Sequence, residues 1–398
     1  MTYKYRKKRK KVNRSNTTLY GHKPVSKTRK IVTLVITIIF AILLVFFGYC
    51  IGEPIYNYIK NPPETNPNVW TPPEITDVDI ENTSSDSKIA PVSSREWSAY
   101  TLRSVDMLNE ELLKLAVDSA KNAGYISVVV PIKAEGGEIY YATKANVALL
   151  NGEIVKSELD VNEICKIIKR SGLMPIASVS VLYDNLAPLN ESDIGFVIEE
   201  TGVLWYDDYI NVGGKPWISP FSLSAQDYLS QISDEISAAG FDAVLISDIS
   251  FPEFKEADFS EIGDIIKNEE LRGTVLYETS LIFSDCAPFT IYRTSASNII
   301  DRKEEFLEKT DYTVPFTAVA IEFDYGEIEN KLIYNEEEFI LSEMNIYERT
   351  KIISEVISSE FDDVELIPVI SSKKIMTGDV DEAIRALSEL GYTKYIVE

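Results

Sequence analysis

Carboxylates dominate the chemistry open to this chain. Of its 398 residues, 63 are Asp or Glu and only one is His. That histidine, His22, precedes a long apolar run, so everything beyond the run lacks an imidazole. Ser-His-Asp and Cys-His nucleophile systems and His-ligated zinc are thereby excluded there. Cys165 and Cys286 follow the run without zinc-ligand spacing, and leave open one disulfide or two separate thiols. Glycoside hydrolysis is the major reaction class that needs only two carboxylates, so no cofactor and no metal is expected. The candidate acids are Asp248, in the stretch GFDAVLISDISFP over 240–252, with Glu278 and Glu322. Lys133, Glu135 and Asp184 are candidate substrate-binding groups beside them.

Such residues need elements to bring them together. Strand-like runs at 99–102, 125–132, 174–182, 243–249, 274–277, 317–323, 364–370 and 392–397 alternate with amphipathic helical stretches at 108–124, 161–172, 224–240, 298–310, 345–359 and 380–391. Several helical stretches end in Gly, and Ser224 to Asp227 has capping-box spacing. This order predicts parallel α/β structure, and eight repeats predict a (β/α)8 TIM-type barrel. No Gly-rich phosphate loop follows the first strand. In a barrel the active face is formed by the C-terminal strand ends, where all the candidates above would lie. The longest loop, after the third strand, carries Trp205, Asp207, Asp208 and Trp217. The two Trp rings are either stacking faces for sugars or staples holding the next helix, with the acids as hydrogen-bond acceptors.

The N-terminal part reads differently. Residues 1–52 hold 12 Lys or Arg and no acid, which leaves 27 basic against 63 acidic residues in the remainder. Ile31 to Gly52 is uncharged and long enough to span a bilayer, so a transmembrane helix is expected. The expected organisation is a basic cytoplasmic tail (1–30), the span (31–52), an extracytoplasmic Pro/Ser/Asn-rich stalk (53–97) and a barrel (98–398). This implies a single-pass protein of the cell membrane with its barrel outside. The acidic outer part excludes nucleic acid as a partner there.

The stretches VVVPIKAEGGEIYYA, LMPIASVSVLYDNLAP, GVLWYDD with GGKPWISPFS, and DYLSQISDEISAAGFDAVLISDISFP carry a resemblance. In order and spacing they resemble a bacterial glycoside hydrolase domain family with an α-amylase-like barrel, many of whose members have an N-terminal membrane anchor. The resemblance implies a barrel mouth acting on polysaccharide. By its pattern, Ser247 and Ser250 stand where the family keeps Asp and Arg, and Asp248 stands where it keeps Tyr. Lys133 and Asp184 match, acids flanking Lys133 are absent, and Ser178 replaces an Arg. The expectation drawn from this is a membrane-anchored, degenerate barrel that binds cell-envelope glycan or a partner protein. The alternative is an active glycosidase on envelope or extracellular polysaccharide, using a carboxylate pair.

Overall fold

A computed structural model describes residues 95–398 apart from 151, 302–315, 362–363 and 372–376. Eight parallel strands close into a barrel in the order β1-β10-β9-β6-β5-β4-β3-β2. These are β1 (Trp97–Thr101), β2 (Ser127–Lys133), β3 (Met174–Ser180), β4 (Ala243–Ser247), β5 (Thr290–Ser295), β6 (Ala318–Glu322), β9 (Glu365–Ile370) and β10 (Lys394–Val397). An antiparallel hairpin, β7 (Lys331–Tyr334) with β8 (Glu337–Ile340), stands outside the barrel. All the described residues fall in one unit, Asp86–Glu398.

Alternation along each strand sorts the core into two layers. Ala99, Val129, Ile176, Leu245, Ile291, Ala320, Val369 and Ile396 pack with one another inside the barrel. Their neighbours Val128, Val130, Ala177, Val244, Ile246, Val319 and Ile321 face the surrounding helices. The helices form where polar caps meet apolar stripes. Asn109 caps α1 (Glu110–Asn122), Asp160 caps α2 (Val161–Arg170), and Ser222 caps α3 (Leu223–Ala239) by accepting from Ala225 N. The cap of α3 is thus two residues earlier than the spacing at Ser224 suggested. Gly240, at φ 73°, ends that helix in the left-handed region.

One expected strand is a helix. Residues 274–277 lie within α4 (Glu269–Leu281), capped by Asn268. Val275, Leu276, Thr279 and Ser280 are buried in it at helical spacing while Thr274 and Tyr277 are exposed, so TVLY is a turn of helix and not a pleated run. The fifth barrel strand is Thr290–Ser295, and Glu278 is an exposed helical residue away from any strand end.

The anchored architecture is also corrected. Among the described residues no helix is long and apolar enough to cross a membrane. The expected tail, the span Ile31 to Gly52 and nearly all of the stalk lie outside the described residues. The described residues support the barrel and neither a membrane partner nor a single-pass localisation.

Cys165 and Cys286 are both free and buried. Burial pushes their thiols up, to about 11 and about 12.

At the top of the barrel the loop after β2 is tied to the loop after β3. Lys133 Nζ and Asp184 Oδ2 meet at 3.0 Å with both side chains fully enclosed. Lys133 also donates to the Ser180 carbonyl at 2.8 Å, and Asp184 Oδ1 accepts from the Leu186 and Ala187 amides. Replacing Lys133 by Met would leave the Asp184 charge buried without its counter-ion. The expected cost is about 3–5 kcal/mol in urea unfolding. A wild-type midpoint for Lys133→Met would show that the pair does not hold the loops together.

Candidate active site

The last inward position of most strands is polar, because alternation carries the inner face out of the apolar layer and into the mouth. Thr101, Lys133, Ser178 and Ser180, Ser247, Arg293, and Glu398 after β10 line a cavity of about 610 Å³ there, with Glu135 and Glu138 from the loop after β2. The cavity falls within the size range of small-molecule clefts.

Charge is concentrated at this mouth. Arg293, on β5, donates to Glu322 Oε2 at 2.7 Å and to Glu398 at 2.6 and 3.0 Å. All three side chains are mostly enclosed. The two carboxylates raise the guanidinium pKa against the opposing effect of burial. Glu135 faces this group. Its side chain reaches solvent, yet the surrounding mouth removes enough water for desolvation to be the chief cause raising its pKa. The negative charge of Asp248 is the next cause; Arg293 opposes the rise, and Glu322 and Glu398 add to it.

Asp248 lies beside the mouth, within electrostatic reach of Glu135, at a backbone irregularity. Simple alternation after Ser247 would turn its side chain away from the barrel interior. Its φ of 58° places it in the left-handed region, which only a few non-glycine residues occupy and which Asp tolerates better than most. The carboxylate accepts a hydrogen bond from Ser247 Oγ at 2.8 Å. The amides of Val181 and Leu182 donate to the carbonyls of Ser247 and Asp248, holding the kink against the end of β3.

Two glycines set the position of Glu135. Gly136 N donates to the Tyr183 carbonyl, and the Asn185 amide donates back to the Gly136 carbonyl. A Cβ on Gly137, at φ 101°, would lie 2.0 Å from Asp184 Oδ1, so only glycine lets the loop close over the buried ion pair.

The other expected site residues are placed as follows. Glu322 closes β6 within the Arg293 group. Lys133 and Asp184 are spent on each other beneath the mouth, with Tyr228 OH also donating to Asp184 at 3.3 Å. Trp205 is 2% exposed. It packs against Phe196 and Phe254 and donates from Nε1 to Asp258, so it offers no face to a sugar. Trp217 stacks on Tyr183 with ring centroids 4.6 Å apart, and its Nε1 donates to Asp207 Oδ2 at 2.9 Å. Asp207 also accepts from Lys215 N, while Asp208 accepts from Tyr209 N and pairs with Lys255 at 3.4 Å. These contacts brace the loop from within. Arg293 and Glu398 were not anticipated. The run TIYRTS, β-branched and aromatic around a single Arg, was the available signal. Among the described residues no group of three or more His, Cys, Asp or Glu could hold a metal ion.

A closed parallel barrel of eight strands with a carboxylate-bearing cleft at its C-terminal face defines a TIM-type (β/α)8 fold. Residues 100–338 match the family described as "Putative glycosyl hydrolase domain", and the chain belongs to that family. No curated protein matches it. Among solved structures it is similar to the glycoside hydrolase domain of PgaB (BpsB) from Bordetella bronchiseptica, at 15% identity. That alignment covers 76% of this chain and 93% of the other, with a TM-score of 0.51. It is also similar to a hypothetical protein from Ruminiclostridium thermocellum at 21% identity, covering 45% and 90%, with a TM-score of 0.36. The first likeness bears on the fold alone, and the second is too loose to carry an argument.

The expectation of a membrane-anchored, degenerate binding module is corrected at this point. Membership of the hydrolase family over 100–338 supports the alternative, a carboxylate-pair glycosidase, better than the lapsed reading.

The placement of Trp205 has a direct consequence. Trp205→Ala should lower stability by about 3–5 kcal/mol in chemical unfolding, through a large cavity and a buried Asp258 left without its indole donor. Unchanged stability with weakened glycan binding would restore the sugar-platform reading.

Proposed function

We propose that this protein is a glycoside hydrolase in which Glu135 and Asp248 form the working carboxylate pair. The observation that carries the reading is the place of Glu135 in the lining of the cleft at the C-terminal strand ends, within electrostatic reach of Asp248; desolvation first and the Asp248 charge next raise its pKa. Two carboxyl groups at one cleft, one to donate a proton to the leaving oxygen and one to face the sugar, are the requirement for acid-assisted cleavage of a glycosidic bond.

In this reading protonated Glu135 donates its proton to the glycosidic oxygen as the bond from that oxygen to the anomeric carbon breaks. The Asp248 carboxylate faces the positive charge that develops on the sugar. Water then adds to the anomeric carbon and its proton returns to the carboxylate form of Glu135, which closes the cycle. Arg293, locked between Glu322 and Glu398, shapes the floor of the cleft. Its positive charge limits the rise in the Glu135 pKa. The substrate class is a glycoside, as the family description suggests.

The assignment of the acid is tested by substitution combined with leaving-group chemistry. Glu135→Gln should reduce cleavage of an unactivated glycan by about 10²–10⁴-fold. It should reduce cleavage of a nitrophenyl glycoside far less, because that leaving group departs without a proton. Asp248→Asn should slow both. Full activity of Glu135→Gln on the unactivated glycan would remove Glu135 from the mechanism.

The pH profile gives a second check. A general acid must be protonated to work, so the rate should fall as pH rises through the elevated Glu135 pKa. Asp248→Asn removes the second cause of that elevation, and the fall in residual activity should move to lower pH. A fall that stays in place would dissociate the two carboxylates.

A further inference from the structure

One wall of the mouth holds polar groups that the mechanism above does not use. Glu138, Arg103 and Ser104 line the same cavity as Glu135. Glu138 shares a turn with Glu135: Ala134 N donates to the Glu138 carbonyl at 2.8 Å, Gly137 N donates to the Ala134 carbonyl at 3.1 Å, and Lys133 is bridged to Ile139 beyond them. The backbone thus sets both acids on one closed turn.

These groups are held in place but not used up. Tyr140 OH donates to Glu138 Oε2 at 2.5 Å and Lys156 Nζ lies 3.4 Å from Oε1, yet the Glu138 side chain is still 41% exposed. A carboxylate offers about four acceptor positions, so these two contacts leave capacity for a ligand. Tyr140 OH is also in hydrogen-bonding contact with the Ser104 side chain, which joins the segment after β1 to the turn after β2. Beside Ser104, Arg103 gives Nε and Nη2 to Asp106 at 3.1 and 2.7 Å. Its Nη1 has no protein partner among the described residues, and its side chain is 66% exposed. Sugar hydroxyls both donate and accept, so a fixed carboxylate and a fixed guanidinium on one wall can satisfy neighbouring hydroxyls with charge-assisted bonds.

The order of the strands says which part of a substrate would meet this wall. Round the rim the sequence is β4, β3, β2, β1. Asp248 follows β4, Glu135 and Glu138 follow β2, and Arg103 and Ser104 follow β1. With Asp248 toward the anomeric carbon and Glu135 at the glycosidic oxygen, the departing unit lies beyond Glu135. We propose that the wall is the leaving-group subsite and that it takes a sugar, with Glu138 accepting from, and Arg103 donating to, neighbouring hydroxyls of the unit that departs. The site is then made for bonds between two sugars and not for bonds to a non-sugar group. The choice of side rests on the Glu135 and Asp248 reading; the exposed acceptor and donor in the cleft do not.

The test uses the full chain with maltotriose, cellotriose and chitotriose, and with the nitrophenyl glycosides of glucose and N-acetylglucosamine, whose departing group has no sugar hydroxyls. On the trisaccharide that the wild type cleaves, Glu138→Ala should raise KM about tenfold through the lost charge-assisted bonds, with kcat changed less than about threefold. On the matching nitrophenyl glycoside the rise in KM should be several times smaller. Tyr140→Phe, which loosens Glu138 without removing its charge, should give a smaller shift in the same direction. Equal rises in KM on both substrates, or none on the trisaccharide, would overturn the proposal and leave the hydrolase reading in place. If the wild type cleaves none of these compounds, that reading fails and titration decides whether the wall binds sugar. Glu138→Ala should then weaken trisaccharide binding to the Glu135→Gln chain about tenfold. Unchanged affinity, or no binding of any trisaccharide, would overturn the proposal as well.

Discussion

The enclosed pair Lys133 and Asp184 is the interaction on which the mouth depends. Taking two charges out of water costs several kcal/mol each, which is recovered only when geometry and additional hydrogen bonds are good. Here the ammonium has a carbonyl at 2.8 Å, and the carboxylate has two backbone amides and the Tyr228 hydroxyl besides its counter-ion. An apolar pair would fill the same volume at less electrostatic cost. What it would not do is fix the loop after β2 onto the loop after β3. Glu135 sits two residues beyond Lys133 and just before the two glycines that close over Asp184. The ion pair therefore positions the proposed acid without touching substrate.

The polar crown above it follows from the period of the strands. One alternation places Ala99, Leu245, Ile291, Ala320 and Ile396 in the apolar interior and, two residues later, Thr101, Ser247, Arg293, Glu322 and Glu398 at the rim. Interior packing and site chemistry are thus one pattern read at two heights. The rim is acidic on balance, and the single guanidinium of Arg293 between two carboxylates keeps those acids from acting as free charges in the cleft. Glu135 and Asp248, the proposed pair, stand outside that three-membered group.

Seven of the eight barrel strands were legible in the sequence because their apolar runs are short, β-branched and bounded by turns. The fifth was not. Its true run, TIYRTS, contains an Arg that looks out of place in a buried strand, and TVLY, four apolar-looking residues on one helix, took its place. That single error misplaced Glu278 and hid Arg293. The aromatic loop shows a different limit. Trp205 and Trp217 have the composition of a sugar platform, but whether a ring faces solvent or the core is decided by partners far along the chain, such as Asp258 and Tyr183. The surroundings of Glu135 were hidden for the same reason, since its pKa is raised first by desolvation in the mouth and then by Asp248, Glu322 and Glu398, on three separate strand ends.

Asp248 shows why a local pattern can mislead in either direction. Counted along an ideal strand it belongs to the face opposite Ser247, and a carboxylate one residue out of register would be lost to the site. The left-handed backbone at φ 58° breaks that count, at a cost of roughly 1–3 kcal/mol for a non-glycine residue. Three hydrogen bonds hold it there, two from the end of β3 and one from the Ser247 hydroxyl. Backbone outliers that the surrounding structure maintains gather at functional sites, and this one lies on the residue whose charge acts on Glu135, which is why the proposed pair includes it.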